Sequence, residues 1–163
     1  MIDQFRIGIG HDTHRLGEGT FLTIGGVQIN YPRRLLGHSD ADVLLHAISD
    51  ALLGASGLGD IGEMFPDTDP QNHNLDSAII LQSICTKIYA EGWNIVNIDT
   101  IIFAEKPKLS PYKEQIRNRI AEITSIQPSQ VNVKAKTGEQ IGIIGQEEAI
   151  AAECIVLLQK NKP

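Results

Sequence analysis

The chain has 163 residues, 42% of them hydrophobic and 21% charged, which is enough for one globular core and too little for two. Its 14 Lys and Arg against 20 Asp and Glu give a formal charge of −6 with no block of like charge, so the basic footprint of a nucleic-acid binder is missing. No stretch reaches the roughly 18 apolar residues of a membrane span and the first residues lack the layout of a secretory signal, so the expectation is a single cytoplasmic domain over residues 1–163.

In chain order, QFRIGIG alternates Phe5, Ile7 and Ile9 with Arg6, Gly8 and Gly10. That is the period of a strand with one face stripped of side chains, and another piece of backbone is expected close against it. TFLTIGGVQIN reads as a short strand or hairpin bent at Gly25-Gly26. Over residues 43–53, Val43, Leu44, Ala47, Ile48, Ala51 and Leu52 recur at three and four, which predicts an amphipathic helix. Ser39 is its expected N-cap, with Asp42 as the acidic partner of a capping box. Residues 57–74, GLGDIGEMFPDTDPQNHN, read as a loop, and Asp76 caps a helix that runs to about residue 90 before Gly92 stops it. WNIVNIDTIIFA is an alternating β-branched strand broken by Lys106-Pro107-Lys108. Residues 112–123 are helical by period and VNVKAKT is a strand. AIAAECIVLLQK is apolar on both faces and is expected as a buried strand, and Cys85 and Cys154, each among apolar neighbours, as reduced core thiols. The order implies an α/β (α+β) fold with helices on one face of a mixed sheet. The other face then needs a cover, most simply another copy of the chain.

The i, i+2 spacing of Asp12 and His14 puts a carboxylate and an imidazole on one side of an extended backbone. Asp42, His46 and Asp50, at i, i+4 and i+8, line one face of the helix, so His46 can supply a third ligand. One Asp and two His around a divalent cation leave a coordination position open, as in a catalytic zinc site. Taken alone, Asp-x-His reads more simply as a strand-end turn and His46 as a surface histidine. His38-Ser39-Asp40, where the helix begins, is either an anion site or a plain cap. Phe65-Pro66-Asp67-Thr68-Asp69-Pro70 binds a polyol or is a solvated loop. The strand end at Lys134 to Glu139 offers donors, a hydroxyl and a carboxylate that a cation bridging phosphates can use. There is no GxxxxGK[ST] loop, no third glycine after Gly8-x-Gly10 and no GxSxG elbow, which removes kinase, Rossmann and serine-hydrolase readings.

Together, Gly8-Ile9-Gly10-His11-Asp12-Thr13-His14, then His38-Ser39-Asp40-Ala41-Asp42-Val43 to His46, then Gly59-Asp60-Ile61-Gly62 with the 65–70 turn, resemble the 2-C-methyl-D-erythritol 2,4-cyclodiphosphate synthase family, zinc-dependent cyclases of the non-mevalonate isoprenoid pathway. The resemblance covers essentially the whole chain. It implies a mixed, mostly four-stranded sheet with helices on one face, assembled as a homotrimer whose sheets face inward and whose active sites lie between subunits. It implies Zn2+ at Asp12, His14 and His46, and Mg2+ or Mn2+ at Glu139 bridging the substrate diphosphate. Ser39 and Asp40 match the family's phosphate loop, and Asp60, Gly62 and Asp67 its contacts to methylerythritol. Ala104, Lys108, Leu109, Ala135, Lys136, Thr137 and Glu139 match the cytidine diphosphate pocket, contributed by the adjacent protomer. His38, Lys136 and Thr137 are the catalytic residues it implies. Two departures stand out: Lys136-Thr137 replaces a usual Thr-Thr pair, and Gln146 stands where many members carry an arginine that binds prenyl diphosphates along the trimer axis. Two other readings compete. One is a zinc-dependent phosphate-ester hydrolase with Asp50 or Asp42 as base, and the other a trimeric module that binds metal without catalysis.

Overall fold

The computed structural model, which describes residues 5–37, 39–66, 68–72 and 75–161, begins with strand β1 (Phe5–Glu18), longer than the QFRIGIG alternation predicts. Asp12 and His14 therefore lie inside the strand and not past its end, because Phe5 to Arg15 pair in unbroken antiparallel register with the last strand of the chain. β2 (Phe21–Ile24) and β3 (Val27–Asn30) form the expected hairpin, turned at Gly25 and Gly26, whose φ values of 62° and 71° suit glycine. β4 (Arg33–Leu36) returns antiparallel to the far end of β1. RRLL shows no alternation, so nothing in the pattern announced this fifth strand of the sheet.

Helix α1 (Val43–Ser56) is capped by Asp42, not by Ser39. The Asp42 carboxylate accepts the N–H groups of Leu44 (3.2 Å) and Leu45 (3.1 Å), and also those of Gly25 (2.8 Å) and Gly26 (2.6 Å) in the β2–β3 turn. Burial pushes its carboxyl up to about 6 against the pull of these N–H groups. The capping box is thus replaced by one buried carboxylate that pins the hairpin to the helix. It also fills the helix N-terminus expected as an anion site, and it takes Asp42 off the face shared with His46 and Asp50.

The segment read as a loop holds α2 (Ile61–Met64), whose cap Asp60 accepts the Glu63 N–H (2.8 Å), and a 3-10 turn at Pro70–Asn72. Then follow α3 (Ser77–Ala90), β5 (Trp93–Phe103), α4 (Lys113–Thr124), β6 (Val131–Lys136), α5 (Gly142–Gly145) and β7 (Ala149–Lys160). The sheet order is β4-β1-β7-β5-β6, with only the β5–β6 pair parallel. This is a mixed α+β architecture with four long strands and the short β4.

α1 lies directly on β1 and β7. A Cβ on Gly8 would fall 1.9 Å from the Ala51 carbonyl oxygen, and one on Gly10 1.9 Å from that of Ala47, so strand and helix meet backbone to backbone. Leu44, Ile48 and Leu52 of α1, Leu81, Ile84 and Ile88 of α3 and Ile98 of β5 are fully buried between the layers. Cys85 and Cys154 are buried free thiols, as expected. The opposite sheet face stays bare: Ile7, Ile9 and Ile155 are 76%, 71% and 52% exposed. Among the described residues no helix is long and apolar enough to cross a membrane.

Candidate active site

Asp12 and His14 share the helix-facing side of β1 with Gly8 and Gly10, and His46 reaches them from the first turn of α1. Asp12 Oδ2 lies 2.9 Å from His14 Nε2 and 2.9 Å from His46 Nδ1, and the two nitrogens are 3.2 Å apart. The donor atoms around a tetrahedral zinc, with bonds of about 2.0–2.1 Å, are about 3.3 Å apart. One oxygen and two nitrogens at these spacings fit a single divalent cation, and the rest of each ring is anchored away from it. His14 Nδ1 donates to the Leu36 carbonyl (3.0 Å), which leaves Nε2 for the cluster. His46 Nε2 lies 3.1 Å from Ser39 Oγ and 2.8 Å from Ser77 Oγ. Burial alone would raise the Asp12 carboxyl, but the hydrogen bonds and charges of His14 and His46 hold it well below the usual carboxylate range. His14 is raised in turn: burial, the largest single influence, opposes this, and the hydrogen bond and charge of Asp12 with the Leu36 carbonyl and the Asp42 charge together outweigh it. Among the described residues these three form the one such cluster of potential metal ligands.

The neighbours expected from the sequence divide. Ser39 stands against His46, and its Oγ accepts the Ala41 N–H (3.2 Å). The Asp40 carboxylate is engaged with the chain itself, accepting from Ser77 N (3.1 Å), from the Ser77 hydroxyl and from Asp42 N (3.2 Å). Asp50 accepts the Ile61 N–H (2.8 Å) and so ties α1 to the α2 turn, where Asp60 and Gly62 are exposed. A cleft of about 630 Å³ opens beside the 37–40 loop, lined in part by Thr20, Thr23, Arg34, Gly37, Ser39 and Asp40. His38 and Asp67 lie outside the described residues. Ser77 and the Leu36 carbonyl were missed by sequence reasoning. Both meet the histidines across more than 20 residues of chain, and no local spacing encodes such contacts.

The remaining expected residues gather at the ends of β5 and β6. The Ala104 N–H donates to the Lys136 carbonyl (2.9 Å), Leu109 is buried, Ala135 is half-buried, and Lys108, Lys136, Thr137 and Glu139 are exposed. Thr137 Oγ donates to Glu139 Oε1 (3.1 Å), and Glu105, which the motifs did not flag, accepts the Gly138 N–H (2.9 Å) and holds this turn. Glu147 receives Lys106 Nζ (2.8 Å) and the Tyr31 hydroxyl (3.2 Å), fixing the start of the Lys106-Pro107-Lys108 turn. Gln146 folds onto the Gln140 carbonyl (2.7 Å). The structure does not bring this group to the cluster. Asp12, Ala152, Ile102 and Ala135 form one rank across β1, β7, β5 and β6, so the two groups sit at the same end of the sheet, three strand spacings or about 14 Å apart.

The profile of the YgbB family matches residues 5–159. The chain belongs to the YgbB family. Similar curated members include the 2-C-methyl-D-erythritol 2,4-cyclodiphosphate synthases of Geobacillus kaustophilus, 55% identical over 97% of this chain and 100% of the relative, and of Pseudomonas fluorescens, 53% identical over 95% and 99%. Among solved structures, the CDP complex of IspF from Plasmodium falciparum superposes with a TM-score of 0.86 at 37% identity, covering 98% of this chain and 99% of that one. The bifunctional IspDF of Campylobacter jejuni superposes with a TM-score of 0.93 at 40% identity, covering 98% of this chain and 43% of that one. The hydrolase alternative finds no support in these names, and Asp42, one of its two candidate bases, is sealed under backbone N–H groups.

Proposed function

We infer that the chain closes 4-diphosphocytidyl-2-C-methyl-D-erythritol 2-phosphate to 2-C-methyl-D-erythritol 2,4-cyclodiphosphate and releases CMP. The observation that carries this is more than half identity to synthases over nearly the whole of both chains. A 2-phosphate oxygen attacks the β-phosphorus, the bond from that phosphorus to the oxygen bridging it to the α-phosphorus breaks, and CMP leaves with that oxygen. The nucleophile is already an anion, so no general base is required, and the work of the site is positioning and charge neutralisation.

The residue roles follow from the resemblance, and for Asp12, His14 and His46 the donor geometry supports them. Asp12, His14 and His46 fit Zn2+, and Glu139 is the ligand we assign to Mg2+ or Mn2+. Bound there, the two ions would supply positive charge to the phosphoryl oxygens, the zinc through its open fourth position. The chain's own residues do the rest. Ser39 and His38 border the phosphate, with Asp40 holding their loop. Asp60, Gly62 and Asp67 take the methylerythritol part. Ala104, Lys108, Leu109 and Ala135 form the cytidine pocket. Thr137 and Lys136 meet the diphosphate, the ammonium of Lys136 adding charge that a chain of net −6 otherwise lacks.

The rank that carries Asp12 on β1 and Ala135 on β6 sets the metal cluster about 14 Å from the strand that leads to Glu139 in one chain, a wide span for one diphosphate to bridge. Head-to-tail contact between the β1/β4 side of one protomer and the β6 side of the next joins them, and such contacts close into rings. We therefore propose a homotrimer with shared sites and the bare face of Ile7, Ile9 and Ile155 turned inward. Two buried reduced thiols suit the cytoplasm. The test is to incubate the zinc-loaded protein with the cytidylyl substrate in 18O-water and follow the products by phosphorus NMR and mass spectrometry. CMP and a cyclic diphosphate free of solvent oxygen are expected. Ring-opened phosphates carrying 18O would identify a hydrolase instead.

A further inference from the structure

A histidine can present Nδ1 to a metal only when its proton sits on Nε2. With a cation held between Asp12 Oδ2 and the His46 Nδ1 that faces it at 2.9 Å, Nδ1 must be bare, and something on the other side of the ring must hold the proton on Nε2. Two hydroxyls lie on that side, Ser77 Oγ at 2.8 Å and Ser39 Oγ at 3.1 Å. A hydroxyl both donates and accepts, and by itself fixes nothing. Ser77 differs from Ser39 in what stands behind it. It is the first residue of α3, with no solvent exposure, and its hydroxyl also bonds Asp40 Oδ1 while its N–H donates to Asp40 Oδ2 (3.1 Å). A carboxylate only accepts, so the Ser77 hydroxyl proton goes to Asp40. Its oxygen is left with lone pairs, which accept from His46 Nε2–H.

We infer that Ser77 is a positioning residue: an Asp40–Ser77–His46 relay, running from the N-terminus of α3 to the first turn of α1, locks the His46 proton on Nε2 and aims Nδ1 at Asp12 and His14. The inference rests on the reading of these three side chains as a metal site and adds to it the device that orients its third ligand. The second histidine has its counterpart in the chain, since His14 Nδ1 donates to the Leu36 carbonyl, an acceptor that fixes its tautomer directly. The relay also gives the Asp40 carboxylate a task within the chain.

The test is zinc affinity of the full-length protein, measured by competition with a chromogenic chelator, with thermal unfolding of each metal-free variant alongside. Ser77→Ala is expected to weaken zinc binding about 10–100-fold, the usual cost of losing the partner of a ligating histidine, while the metal-free midpoint stays within a few degrees of the parent. Asp40→Asn, which leaves the Ser77 hydroxyl in place, is expected to weaken it about tenfold and carries the test alone if the Ser77 variant does not fold. In the double variant the losses must not multiply, because both substitutions break one relay. Parental affinity in either single variant, or multiplying losses in the double variant, overturns the relay. A parent protein that binds no stoichiometric zinc overturns the metal reading itself, and that outcome is distinguishable because it appears before any substitution is made.

Discussion

The two ends of the site are built differently. Around Asp12, His14 and His46, the donor atoms already stand 2.9–3.2 Å apart, and each ring is anchored on its far side by buried or backbone groups. At the ends of β5 and β6, Lys108, Lys136, Thr137 and Glu139 are exposed, and the Thr137 to Glu139 bond is local. The first end is finished within one chain. The second presents groups outward, toward whatever docks on that side. A cation needs rigid, closely spaced donors, whereas a nucleotide tolerates side chains that settle on contact. On the proposed function, the division follows the demands of a cation and of a nucleotide.

The largest effect comes from removing the shared oxygen. Asp12→Ala is expected to empty the zinc position by elemental analysis and to lower product formation by about three orders of magnitude, while calorimetric titration with CDP changes by no more than a few-fold. Loss of CDP binding in the same variant would mean that the two ends are coupled. Next is Gly10→Val, which forces the helix off the strand. We expect a loss of about 3 kcal/mol and a melting point lower by about 6–12 °C in a thermal scan. Zinc affinity should fall with it, since β1 and α1 carry the ligands, and a variant that melts lower yet keeps full affinity would break the link between scaffold and site. Lys136→Ala works at the other end: KM for the cytidylyl substrate should rise about tenfold with zinc content unchanged.

The smallest signal is an expected silence. Burial pushes the Cys85 thiol up to about 12 and raises that of Cys154 as well, so neither is a thiolate at ordinary pH. Ellman's reagent should find no thiol in the native protein and two per chain in urea. These cysteines belong to α3 and β7, so a native-state reaction would expose opening of the scaffold behind the metal end.

How much of this was legible depended on whether the signal was local. The alternations of Phe5 to Ile9 and of the 93–104 segment, the three-four spacing in residues 43–53 and the apolar run over 149–160 are short-range patterns, and the structure has strands and a helix there. The i, i+2 spacing of Asp12 and His14 also held, since a strand guarantees it. β1 outran its apolar alternation because its second half is held by pairing with β7 and β4, which polar residues such as His11 and Arg15 do not advertise. Asp42 was assigned to a capping box because Ser39 stood three residues before it. The β2–β3 turn drew its carboxylate inward, a pull visible only once the hairpin is docked. β4 and α2 are four residues each, below the length at which periodicity speaks. Ser77 joins His46 across 31 residues, and Glu105 joins Gly138 across 33. The grouping of the three ligands was likewise carried by resemblance and by geometry, because spacing alone left each of them with a plainer reading.

The bare glycines of β1 have a further meaning for ligand selection. With no side chain between Gly10 and the Ala47 carbonyl, the gap separating the two supporting elements equals the thickness of the main chain itself. No rotamer change can widen or narrow it. The separation of the backbones that carry Asp12, His14 and His46 is thereby gauged by peptide geometry, and only their side chains are left to adjust to the radius of an ion.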